Sequence, residues 1–90
     1  MDIKIPIKGK IHIAGRDFEV SLVNGLVDAG NSDTPNQKIL ICAEQTRENQ
    51  ESAVLHEVIE IINSIYDLNL EHQTIQTLEA ALYHVYRDNF

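Results

Sequence analysis

The stretch Ala53-Val54-Leu55-His56-Glu57-Val58-Ile59-Glu60-Ile61-Ile62-Asn63 decides the fold, because here the apolar pattern leaves period two and takes up helical spacing. Leu55, Val58, Ile62 and Ile65 follow i, i+3, i+7, i+10, with Val54 and Ile61 flanking them. Thr46 suits the N-cap, and Glu48 suits the first turn, where a carboxylate meets the positive end of the helix dipole. The helix is expected to end near Tyr66-Asp67. A short link, Leu68-Asn69-Leu70, then leads into a second helix in which Ile75, Leu78, Leu82 and Val85 repeat the spacing. Two amphipathic helices joined by so few residues pack antiparallel.

Upstream the period is two. Ile3, Ile5, Ile7, Gly9, Ile11 and Ile13 alternate with Lys4, Pro6, Lys8, Lys10 and His12, which predicts a strand over residues 3–13 with one buried face. Pro6 lacks an N–H and belongs at an edge or a strand start, and Gly9 suits a bend or bulge. After a turn at Ala14-Gly15, Phe18, Val20 and Leu22 alternate with Asp17, Glu19 and Ser21. A two-residue hairpin sets Ile11 beside Phe18 inside, and His12 opposite Asp17 and Lys10 opposite Glu19 outside. A slip of one residue would set apolar side chains against polar ones, so register and burial agree. Ala14 is not ideal in a primed turn, which leaves a bulged turn at Gly15 as an alternative. Residues 24–36 are rich in turn chemistry and read as a loop, after which Lys38 to Cys42 reads as a third strand. The expected fold is α+β, a small antiparallel sheet of about three strands followed by two antiparallel helices, in one domain spanning residues 1–90. The expected core is Ile5, Ile7, Ile11, Phe18, Val20, Ile39, Ile41, Leu55, Val58, Ile62, Ile65, Ile75, Leu78, Leu82 and Val85.

The net charge of −7 is uneven: residues 1–45 carry five basic and six acidic side chains, and residues 46–90 carry two basic and eight acidic. That field opposes binding to nucleic acid or to an anionic membrane surface, and it favours divalent cations and basic peptides. Solubility alone is a common reason for an acidic surface. Cys42 is the single cysteine and lies in an apolar run, so it reads as a buried, inert thiol. Met1-Asp2-Ile3-Lys4 opens no apolar stretch of signal-peptide type, and no segment approaches a membrane span, so a cytoplasmic location is expected.

At about 100° per residue, His56, Glu60, Asn63 and Asp67 share a polar stripe outside the apolar arc of the first helix. Residues i and i+4 are stacked neighbours, so His56 and Glu60 can both reach one metal ion, and both are competent zinc ligands. Glu57 sits one step round, where the glutamate of an H-E-x-x-H helix holds a water as general base. A plain solvent-facing helix would carry the same stripe. The nearly unbroken apolar flanks, however, belong to a helix covered on more than one side. A His-Glu-Glu group there needs partners, because a buried uncompensated charge is costly, and a metal ion would neutralise it. His72, 12 residues past Glu60, is the candidate third ligand. An antiparallel second helix brings its start near the end of the first, so His72 reaches His56 only if the link curls back; otherwise it is a solvated residue of the second helix. Asp67 or Glu79 would substitute if His72 is distant. His12 has Asp17 across the hairpin, and His84 lies off the apolar stripe.

Taken together, the N-terminal hairpin, the strand Gln37-Lys38-Ile39-Leu40-Ile41, the helix Leu55-His56-Glu57-Val58-Ile59-Glu60, the segment Leu68-Asn69-Leu70-Glu71-His72 and the closing run Leu82-Tyr83-His84-Val85-Tyr86-Arg87-Asp88-Asn89 resemble small phage- and prophage-encoded zincin-like proteins. These are minimal metallopeptidase-like domains, and the likeness covers roughly residues 3–89. It implies that His56, Glu60 and His72 hold zinc, that Glu57 is the catalytic base, and that the third strand aligns an extended substrate by β-addition. Glu60 stands where many of these proteins have a second histidine, which implies either an altered metal preference or a site that has lost activity. Two readings follow. One is a minimal zinc-dependent peptidase acting on a peptide or protein substrate. The other is a non-catalytic zincin-like phage accessory protein that serves as an interaction module for a host or phage protein. A third, an acidic mimic of DNA phosphate, rests only on the charge of the helical half.

Overall fold

The structure, a computed structural model, describes residues 5–90. It is α+β: strands β1 (Gly9–Ile13), β2 (Arg16–Val23), β3 (Gly30–Asp33) and β4 (Lys38–Cys42) form one sheet, and helices α1 (Arg47–Ile65) and α2 (His72–Asn89) follow. Among the described residues no helix is long and apolar enough to cross a membrane.

The hairpin has the register its alternation dictates, with Ile11 opposite Phe18, His12 opposite Asp17 and Lys10 opposite Glu19. His12 Nδ1 lies 2.7 Å from Asp17 Oδ1, and this hydrogen bond holds the Asp17 carboxyl below its usual range. Ala14 and Gly15 both take positive φ, 51° and 77°, as a two-residue primed turn requires, so the bulged alternative is not used. The first strand is shorter than the alternation suggested. It begins at Gly9, whose φ of 103° breaks the strand geometry, and the expected strand residues Ile3 and Lys4 lie outside the described residues.

The sheet departs from the expected one in two respects. It has four strands in the order β1-β2-β4-β3, and β2 and β4 run parallel. The extra strand, β3, lies in the segment expected to be a loop. Gly30-Asn31-Ser32-Asp33 has no apolar alternation to announce it; its backbone pairs antiparallel with β4. An Asp33–Asn36 clasp closes the turn between them, with Asp33 Oδ1 accepting from the Asn36 N–H at 3.2 Å and Oδ2 from its side-chain amide at 2.8 Å. The strand expected to offer a free edge, Lys38–Cys42, is therefore internal, and β3 is the edge strand next to the helices.

Helix α1 starts where expected: Thr46 Oγ1 accepts from the Asn49 N–H at 3.2 Å. The face it buries is rotated from the expected one. Gln50, Ala53, Val54, Glu57 and Ile61 are buried, whereas Leu55, Val58, Ile62 and Ile65 are only half-buried. Val54 and Ile61, taken as flanks in the sequence, join Phe18, Val20, Ile39 and Ile41 in the central cluster. Gln50 tolerates burial because its amide donates to the Cys42 and Ala43 carbonyls, both at 3.3 Å. Cys42 is buried, as expected of an inert thiol.

The second helix corrects the expected core more strongly. It turns Ile75, Glu79 and Tyr83 towards α1, while Leu78, Leu82 and Val85 are exposed. Polar pairing sets this rotation. Tyr83 Oη donates to Glu51 Oε1 at 3.1 Å, and Ser52 Oγ donates to Glu79 Oε2 at 2.5 Å.

Candidate metal centre

The link between the helices does curl back, and Asn63 makes it do so. Its side-chain oxygen accepts the Leu70 N–H at 2.9 Å, and its backbone carbonyl accepts the Leu68 N–H at 3.1 Å. Asp67 and Asn69 supply the sharp bends with φ of 52° and 58°, a region asparagine and aspartate tolerate better than most residues. The chain is thereby folded over the last turns of α1 before α2 begins. With Glu79 against Ser52 and His56, and Tyr83 against Glu51, the antiparallel register brings His72 level with Glu60.

His56, Glu60 and His72 consequently converge. One ligand atom from each lies within 4.8 Å of the others, so the trio could hold a metal ion. The His56 and His72 rings meet edge to face with centroids 5.6 Å apart. Ligand atoms sit about 2 Å from a zinc ion, so two of them can be at most roughly 4 Å apart. His72 is exposed, and a rotation of its side chain can close that gap. The donor set, two imidazoles and one carboxylate, is one that catalytic zinc sites use, with a further position left open.

Glu79, considered in the sequence as a substitute ligand, has another part. Its Oε1 lies 2.7 Å from His56 Nδ1. An Nδ1–H donated to that carboxylate fixes the tautomer and leaves the Nε2 lone pair free to face a metal. Ser52 donates to the other carboxylate oxygen, so Glu79 is held at both ends. Glu79→Ala is expected to keep the fold and to weaken zinc binding about 10- to 100-fold, as read by titration against a chromophoric chelator. Unchanged affinity would mean that His56 does not bind the metal through this arrangement. On α2, Gln76 Nε2 lies 3.1 Å from His72 Nε2, and that contact must break for this nitrogen to face a metal.

Glu57 lies beside the trio but faces the sheet and is only 7% exposed. Burial, opposed by a hydrogen bond from Ser32 of β3, pushes its carboxyl above the usual range. Gly30 makes room for it: a methyl group there would lie 3.3 Å from Glu57 Cγ and Oε2 and 3.2 Å from Ile41 Cδ1. Gly30 and Ser32 thus line the wall opposite the helix, a role the sequence did not signal because it carried no strand pattern there. Asp67 lies in the link outside the cleft lining, and His12 and His84 are exposed elsewhere.

The open cleft between β3 and the two helices has a volume of about 740 Å³ and contains the whole constellation. Its β3 wall offers unpaired backbone. The Cys42 N–H bonds to the Ala29 carbonyl, so antiparallel alternation commits Asn31 and Asp33 to β4 and turns the N–H and C=O of Gly30 and Ser32 outward. No protein-family model, curated protein or solved structure matches the chain.

Proposed function

We propose that the chain is a minimal zinc-dependent peptidase of the zincin-like kind. The observation that carries this reading is the convergence of His56, Glu60 and His72, with Glu57 one helical step away, inside a cleft flanked by an open strand edge. His56, Glu60 and His72 would hold the ion, which when bound supplies Lewis acidity towards a carbonyl and lowers the pKa of water. The other steps belong to the chain itself. Outward-facing backbone groups of Gly30 and Ser32 hold a substrate in extended form, a task the sequence had suggested for the following strand. Glu57 accepts the proton of the attacking water at its carboxylate and returns it to the leaving amine. Glu79 and Ser52 keep His56 in one tautomer throughout.

One observation favours the second reading, a metal-held interaction module without catalysis: Glu57 is 7% exposed and bonded to Ser32, and a base must reach water to act. A broad peptide library separates the two. Protein loaded with one equivalent of zinc is expected to cleave a subset of peptides, and a chelator is expected to stop it. Fully metallated protein that binds peptides and cleaves none would establish the interaction module.

A further inference from the structure

The cleft has a chemical bias that points to its ligand. Its apolar lining side chains are no larger than those of Ala29 and Ala53, and no lysine or arginine lines it. A large apolar side chain would find little apolar surface on which to gain burial energy. Its carboxylates, by contrast, are numerous, and all but one already have work. Glu60 belongs to the metal trio, Glu79 is bonded to His56 and Ser52, and Glu57 is bonded to Ser32. Asp28 remains. It is exposed at the cleft rim, and among the described residues its carboxylate makes no hydrogen bond or ion pair.

Position adds direction to charge. Asp28 lies two residues before Gly30, where the open edge of β3 begins. The chain bends over residues 27–29, so Asp28 lies no further from Gly30 than the roughly 7 Å that two fully extended residues span, within reach of a long basic side chain from a polypeptide hydrogen-bonded at Gly30. We propose that Asp28 selects a lysine or arginine side chain in an extended polypeptide docked along the β3 edge. The proposal rests on the reading of the cleft as a polypeptide site beside the metal centre, and it names the substrate class: chains with a basic residue near the bond over Glu57 and without bulky apolar residues beside it.

The test uses zinc-loaded Glu57→Gln protein, so that bound peptide is not consumed, and fluorescence anisotropy at low ionic strength. The probes are labelled peptides identical except for lysine, norleucine or glutamate at one position, moved along the chain. At one position lysine should bind about fivefold more tightly than norleucine, the upper range for an exposed charge pair, and added salt should shrink the ratio. Adding Asp28→Asn should bring the ratio near one, and Asp28→Lys should transfer the preference to glutamate. Norleucine binding as well as lysine, a lysine preference that survives Asp28→Asn, or no peptide binding at all would each overturn the proposal. Zinc content and cleavage by protein with Glu57 intact are measured beside it. Cleavage without lysine preference would overturn the role of Asp28 alone, whereas lysine preference without zinc uptake would overturn the metal-centre reading alone.

Discussion

Phe18→Ala is expected to remove about 3–5 kcal/mol of stability, the usual cost of emptying a buried aromatic site. A domain of this size has only roughly 5–13 kcal/mol in total, so the variant should lose a large share of its stability. Phe18 is fully buried on β2, the strand that pairs with both β1 and β4. Its backbone is held by the β1 ladder, and the β4 ladder begins at the next residue, Glu19, so the strand resists collapse into the void, which puts the cost at the high end. Ile62→Ala should cost less than the roughly 2–5 kcal/mol of emptying a fully buried isoleucine site, because Ile62, expected in the core, is half-buried and the fully buried neighbour is Ile61. Urea denaturation followed by circular dichroism gives both values. A Phe18→Ala loss no larger than that of Ile62→Ala would contradict the assignment of the core.

Glu57→Gln should have the largest effect on function. Removal of a general base lowers turnover about 100- to 10,000-fold, while zinc content should stay at the wild-type level because Glu57 is not one of the converging ligands. The same substitution should make the metal-free protein more stable at neutral pH. Burial raises the folded-state pKa of Glu57 above its unfolded value. The folded state therefore binds the proton more tightly, and stability falls as pH rises from the unfolded carboxylate range through the raised folded value. Glutamine keeps the shape and can still accept from Ser32, but it carries no charge to desolvate. Wild type and variant should accordingly converge in acid and diverge, in favour of the variant, above that window. Equal cleavage by the two zinc-loaded proteins would remove Glu57 from the chemistry, and a lower stability for the variant at neutral pH would contradict the account of its burial.

Much of the scaffold was legible because local rules act without tertiary help. Alternation with opposed charges set the hairpin register, and Thr46 with the change of period located the start of α1. The i, i+4 spacing of His56 and Glu60 needed nothing beyond helix geometry. What was not legible depended on partners distant in sequence. Gly30–Asp33 became a strand through backbone pairing with β4, which polar side chains do not advertise. The run from Ala53 to Ile62 is apolar on so many sides that periodicity could not choose a face. Its orientation follows from Gln50 and Glu57 finding partners beneath it. On α2 the apolar stripe Leu78-Leu82-Val85 looked like the core, yet Glu79 and Tyr83 settled the rotation by hydrogen bonding to α1. The convergence of His72 on His56 and Glu60 depended on Asn63 and the left-handed turns at Asp67 and Asn69.

If His56, Glu60 and His72 bind one zinc ion together, an anomalous-difference map from a crystal grown with one equivalent of zinc should show a single strong peak about 2 Å from a ring nitrogen of each histidine and from a Glu60 carboxylate oxygen, with Glu79 still on His56 Nδ1. A map with no peak between α1 and the start of α2, or with zinc elsewhere and His72 turned to solvent, would contradict it.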